Sequence, residues 1–150
     1  MQIINKYGNI FDSNAPLLCH QVNCQGVMGA GIAKQIRELY PFVYTAYRQA
    51  YESNKLLLGK VIYVSVEDAR IIANLCGQYN YGRSGQYTDY RALADCFDSI
   101  NAFCKNNFIT TIAIPYKMGC GYGGGEWRMV LSAVVMALAD SDINVEVWRL

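Results

Sequence analysis

Histidine occurs once in this chain of 150 residues, at position 20, and proline only three times. Six cysteines are present, none in a C-x-x-C pair, so with a single imidazole a zinc site has little to build on and no metal is expected. Charge is scarce as well. Acidic and basic residues make up 17% of the chain and leave a net charge of +1, which removes the electrostatic case for general nucleic-acid binding. No apolar stretch approaches the ~20 residues of a membrane span and the N-terminus lacks a signal-peptide pattern, so a cytoplasmic chain with no membrane partner is expected. Repeats, linkers and low-complexity segments are missing. The first glycine-spaced loop, within residues 24–33, does not fit G-x-G-x-x-G, and Gly-Lys-Ser/Thr and G-x-S-x-G are missing, so neither a dinucleotide fingerprint there nor a Walker A loop nor the hydrolase elbow is satisfied.

What is there is a dense core and two glycine-rich loops. Hydrophobic residues make up 53% of the chain, enough for one domain over residues 1–150 that buries roughly 70% of its unfolded surface. Several cysteines fall within apolar runs, where they act as small hydrophobes, so reduced buried thiols are expected over disulfides, in keeping with a reducing compartment. Cys24 and Cys120 lie inside the glycine loops, but nothing beside them in sequence activates a thiolate, and no nucleophilic cysteine is assigned.

Apolar patterning gives an alternating order of strands and helices. Gln2–Asn5 reads as a short strand turning at Gly8-Asn9, and Leu17–Asn23 as a strand of the buried, parallel-sheet kind. Gly31–Tyr40 reads as a helix stopped by Pro41, which itself starts a second helix to about Ser53. Lys60–Glu67 and Arg70–Cys76, joined at the turn Asp68-Ala69, read as neighbouring strands. Gln78–Gln86 reads as a polar loop, Asp89–Asn106 as a helix, Thr110–Pro115 as a strand, Trp127–Asp140 as a helix and Val145–Leu150 as a closing strand. The expected fold is α/β with a largely parallel central sheet.

The sequence Ala15–Ala33 runs from an apolar strand through a glycine-spaced loop into a helix. Such a junction leaves backbone N–H groups at a helix N-terminus, where the dipole favours an anion. A second loop, Gly119–Gly125, follows the Thr110–Pro115 strand. In a parallel sheet both lie beyond the carboxyl ends of strands, on one rim. The pair suggests a diphosphate held between them.

These residues resemble the macrodomain family, which binds ADP-ribose and its derivatives. The resemblance runs through Tyr7-Gly8-Asn9-Ile10-Phe11, the block His20–Ala33, Leu58–Val61, Pro115–Trp127 and Val145–Leu150. It looks closest to the small stand-alone branch that holds an ADP-ribose 1″-phosphate phosphatase and a hydrolase removing terminal ADP-ribose from glutamate. It implies a three-layer α/β/α macrodomain with a mixed, largely parallel sheet. It also implies Asn9 and Ile10 at the adenine, Asn23 at the distal ribose, and Met28, Gly29, Ala30, Gly31, Ile32 and Ala33 as the first phosphate loop. Gly119, Cys120, Gly121, Tyr122 and Gly123 match the second, and Tyr79 and Tyr81 the distal-ribose side. Many relatives carry aspartate in place of Asn9; asparagine still accepts a hydrogen bond from the adenine amine but without the charge.

Departures from the family narrow the chemistry. The glutamate-specific hydrolase uses a lysine where this chain has Cys76-Gly77-Gln78, and an aspartate where it has Tyr122-Gly123-Gly124, so that covalent lysine route is not expected. The second asparagine of an Asn-x-x-Asn pattern is also unmatched after Asn23. His20 and Asn23 remain as catalytic candidates: a neutral imidazole to activate water against a 1″-phosphate, and an amide to orient the ribose. The plainer alternative is a buried His20 bonded to a neighbouring strand. Glu126 and Asp12 read more simply as a helix-dipole partner and a turn residue. The leading reading is a 1″-phosphate phosphatase that converts ADP-ribose 1″-phosphate to ADP-ribose and phosphate. The alternatives are a non-catalytic ADP-ribose reader and a hydrolase releasing ADP-ribose from a modified protein or nucleic acid without a catalytic lysine, and none of the three requires a cofactor. A monomer is expected.

Overall fold

The computed structural model describes residues 1–67 and 69–150. Six strands form one sheet: β1 (Gln2–Tyr7), β2 (Leu17–Asn23), β3 (Val61–Ser65), β4 (Ile71–Gln78), β5 (Thr111–Pro115) and β6 (Asn144–Arg149). Their order is β1-β6-β5-β2-β4-β3, parallel throughout except for the antiparallel β3–β4 pair. The helices are α1 (Gly31–Leu39), α2 (Pro41–Glu52), α3 (Tyr90–Asn106) and α4 (Trp127–Leu138), with a short 3-10 turn at Ile10–Asp12. Among the described residues no helix is long and apolar enough to cross a membrane.

Strand alternation sends successive side chains into two separate cores. From β2, Leu17 and Cys19 join Leu93, Phe97 and Ile100 of α3 and Val130, Val134 and Leu138 of α4. Leu18 faces the other way, onto Ile36 of α1 and Val43 of α2, and Val22 packs with Tyr47 of α2. The sheet is therefore covered on both faces, which is why β2 is largely apolar and buried along nearly its whole length. This is the mixed, mostly parallel α/β/α arrangement.

Element edges shift where local chemistry decides them. Asp89 stands outside α3 as its cap, its carboxylate accepting from the Ala92 N–H at 3.0 Å. The strand expected to stop at Cys76 continues to Gln78, because a register shift between Val22 and Asn23 keeps the two strands paired to Asn23–Gln78. The first strand continues to Tyr7 by pairing with β6. The last helix ends at Leu138, two residues early. Of the turn expected at Asp68-Ala69, Asp68 lies outside the described residues, while Ala69 takes a left-handed φ of 60°.

Candidate functional site

The carboxyl ends of β2, β4 and β5 feed three loops onto one rim. The β2 loop, residues 24–30, is anchored from below. Asn23 Oδ1 accepts from the backbone N–H of Gln25 (2.9 Å) and Val27 (3.3 Å), and its Nδ2 donates to the Val27 carbonyl (2.8 Å). The Tyr47 hydroxyl, fully buried on α2, donates toward the Asn23 carbonyl (2.6 Å) and Oδ1 (2.8 Å). Met28 plugs the loop into the core beside Val22, Tyr47 and Cys76. The loop then delivers the N-terminus of α1 with no side-chain cap at Ala30, so its first N–H groups face outward.

The β5 loop is stitched to the β4 loop. The N–H groups of Tyr87 and Thr88 donate to the Gly123 carbonyl at 2.7 and 2.9 Å, and the Thr88 hydroxyl donates to the Gly119 carbonyl at 2.7 Å. Gly124 is obligatory here. Its φ is +72°, and a Cβ would stand 2.1 Å from the Gly85 carbonyl oxygen. Gln21 completes the seam from β2, donating to Gln78 Oε1 (2.7 Å) and Thr88 Oγ1 (2.9 Å).

Between the loops lies a cavity of about 550 Å³. Gly29 to Ala33 line one side and Gly119, Gly121, Tyr122 and Gly123 the other, with Asn23 and Gln21 at the base and Tyr81 and Arg83 at one end. A second cavity of about 340 Å³ shares Ile32, Pro115 and Tyr116 with the first, so the two form one groove. Asn9, Ile10, Trp148 and Arg149 line this second part. Such dimensions suit a dinucleotide-sized ligand. Asn9 Oδ1 accepts from Phe11 N–H at 3.0 Å, so the amide also caps the 3-10 turn.

Several expected contacts fall elsewhere. Met28 is 1% exposed and belongs to the core, holding the loop and not lining the cavity. Cys120 points away, its Sγ near the Met118 carbonyl at 3.5 Å, with burial raising its thiol pKa. Tyr79 is 61% exposed and outside the lining; its carbonyl accepts from Cys24 N–H at 3.0 Å, and Tyr81 takes the place at the wall. Glu126 sits outside the cavity beside Arg128, 3.3 Å away.

His20 is fully buried and absent from the lining. Strand alternation turns it to the α1/α2 side of the sheet, while its neighbour Gln21 faces the loops. Its Nε2 donates to Asn74 Oδ1 at 2.6 Å, and Asn74 is itself fixed by donating to the Ile62 carbonyl at 2.9 Å. Burial lowers the imidazole pKa to about 4, against the opposing pull of the Asn74 bond. This is the plainer alternative: a neutral histidine bonded to the neighbouring strand. Asn23 does line the cavity, but most of its amide is committed to the loop.

Sequence reasoning passed over Gln21, Tyr47, Tyr116, Lys117 and Arg149. Among the described residues, Arg83 and Lys117 are the charged side chains of the first cavity, and no carboxylate or histidine lines it. Lys117 holds a left-handed φ of 59°, unusual outside glycine. The Arg149 guanidinium stacks 3.9 Å from the Tyr116 ring centroid.

A mostly parallel six-stranded sheet with paired glycine loops over one rim defines an α/β domain with a groove at the strand ends. The Macro domain family model matches residues 19–134, and the chain belongs to the macrodomain family. It is 30% identical over 135 residues to a Mycobacterium tuberculosis DNA ADP-ribosyl glycohydrolase, covering 87% of this chain and 37% of that protein. It is 34% identical over 77 residues to an Aspergillus clavatus ADP-ribose 1″-phosphate phosphatase, covering 51% of this chain and 37% of the other. The structure of the Mycobacterium tuberculosis DarG macrodomain superposes with a TM-score of 0.87 at 25% identity, over 99% of this chain and 98% of that one. The chain thus spans well under half the length of the glycohydrolase it matches.

Proposed function

We propose that this macrodomain binds ADP-ribose along the groove and hydrolyses the bond between C1″ of the ribose and an attached group. In this reading the adenine lies in the part lined by Asn9 and Ile10, and the diphosphate between the open N-terminus of α1 and the Gly119–Gly123 loop. The distal ribose then reaches Asn23, Gln21 and Tyr81. The observation that carries the reading is the cavity enclosed by two glycine loops, one opening an uncapped helix.

That no carboxylate or histidine lines the cavity among the described residues favours a route in which the substrate assists. Water adds its hydroxyl to C1″ while the C1″–carrier bond breaks. The displaced proton passes through a diphosphate oxygen to the departing carrier atom. The protein's part is positioning: backbone N–H groups fix the diphosphate, and Asn23 and its loop fix the ribose above the strand ends. The relatives named as glycohydrolases support this over a His20-dependent phosphatase, since His20 is buried away from the groove. Calorimetric titration with ADP-ribose, paired with release of ADP-ribose from a modified oligonucleotide and a modified peptide, tests the reading. Binding with turnover of either substrate is expected. Binding without turnover makes the domain a reader, and no binding removes the ligand assignment.

A further inference from the structure

Among the described residues, two cations line the first cavity, Lys117 and Arg83, and Arg149 lines the second. Lys117 lines the first cavity beside Tyr116, a residue shared by the two cavities, with its Nζ 5.6 Å from the ring centroid. Arg83 lies at the other end, beside Tyr81, with its guanidinium carbon 5.9 Å from the Tyr122 ring centroid. Further along the same loop, Gly85, Tyr87 and Thr88 pack against Gly123 and Gly124 of the second glycine loop, while Arg83 itself is exposed and lines the cavity. The ion pairs found among the described residues are Arg48–Glu52, Arg91–Asp95 and Arg128–Glu126, none of which engages Arg83. Among the described residues no carboxylate lines this concavity, so the guanidinium can take a ligand anion, and its fork matches phosphate oxygens.

On the groove direction proposed above, the backbone N–H groups already serve the diphosphate, and Arg83 falls beyond C1″. We infer that Arg83 is a specificity-determining residue that selects ADP-ribose derivatives carrying a phosphate on the far side of C1″, over derivatives whose attached group is uncharged there. The phosphate can be a free 1″-phosphate or a phosphodiester of a nucleic-acid strand. The near-zero net charge of the chain does not oppose this, because one local cation recognises one local phosphate. The inference rests on the ADP-ribose reading of the groove.

The test compares wild type, R83A and R83K. Ligands for calorimetry are ADP-ribose and ADP-ribose 1″-phosphate; substrates for turnover are ADP-ribose 1″-phosphate, an ADP-ribosylated oligonucleotide and an ADP-ribosylated peptide uncharged around the modified residue. Wild type should bind the 1″-phosphate ligand at least tenfold more tightly than ADP-ribose, with the margin shrinking as salt rises. R83A should erase that margin, with a smaller effect on ADP-ribose itself, and R83K should restore part of it. Among the substrates, R83A should depress kcat/KM for those carrying phosphate and spare the peptide. Inorganic phosphate release would identify the free 1″-phosphate as the source, and ADP-ribose release from the oligonucleotide the strand phosphodiester. Equal wild-type affinity for the two ligands, or equal losses in R83A, overturns the role of Arg83 while leaving the groove assignment standing. Failure of wild type to bind ADP-ribose overturns the groove assignment itself.

Discussion

Acid should weaken this fold through one residue. His20 is fully buried and neutral, with its pKa lowered to about 4 from the ordinary 6.5, chiefly by loss of hydration. An unfolded chain takes up a proton at this position near pH 6.5, whereas the folded chain resists until about pH 4. The sign follows: the contribution is intact above pH 6.5 and drains away as pH falls toward 4. Between pH 7 and pH 5 the linkage amounts to about 2 kcal/mol, which in a domain of this size corresponds to roughly 4–8 °C in Tm. The matched perturbation is His20→Gln, which keeps a neutral donor for Asn74 Oδ1, now 2.6 Å from Nε2, but cannot titrate. Urea unfolding followed by circular dichroism at pH 7 and pH 5 should show wild type losing about 2 kcal/mol more than the variant. Carboxylate contributions are common to both proteins and cancel in the difference. Equal losses would refute the buried, neutral histidine. The same variant should retain ADP-ribose binding, since the imidazole does not reach the groove.

Other expectations concern the loops. Tyr47→Phe removes the hydroxyl that bonds the Asn23 carbonyl and Oδ1, and should cost about 1–2 kcal/mol in urea unfolding while weakening ADP-ribose binding several-fold in calorimetry. Unchanged affinity would show that this buried latch does not shape the loop. Gly124→Ala should destabilise far more than Gly31→Ala: the first methyl meets the Gly85 carbonyl at 2.1 Å, the second meets nothing within 4 Å and incurs only the left-handed penalty of about 1–2 kcal/mol. Equal costs in chemical denaturation would count against the seam between the two loops. With no carboxylate or histidine among the described residues of the cavity lining, kcat on the ADP-ribosylated peptide, which adds no titrating phosphate, should stay flat from pH 6 to 8; a bell-shaped profile would require a general acid or base and would sink the substrate-assisted route.

The elements that apolar periodicity could fix were legible in the sequence, and so were the glycine loops. The largely apolar run Leu17–Asn23 announced a strand buried on both faces, and β2 sits mid-sheet between β5 and β4. The loops followed because strand ends and helix starts bracket them. What the sequence concealed lies across the chain rather than along it. His20 and Gln21 are adjacent letters on opposite faces of one strand, and only the register against β4 shows that Asn74 claims the histidine while Gln21 meets Gln78 and Thr88. The lone histidine drew attention because of its rarity, yet strand alternation was the better guide: if Leu18 and Val22 face α1 and α2, so must residue 20. Tyr47 looked like one of many tyrosines in an amphipathic helix, and its bond to Asn23 spans 24 residues. Lys117 lay in plain view inside Pro115–Gly121, but its left-handed turn and its place on the wall are properties of the folded loop. Arg83 is the sharpest case. A single arginine in a polar, glycine-bearing segment reads as solvated surface, and it becomes a specificity candidate only once Gly123 and Gly124 dock its loop against the mouth of the cavity.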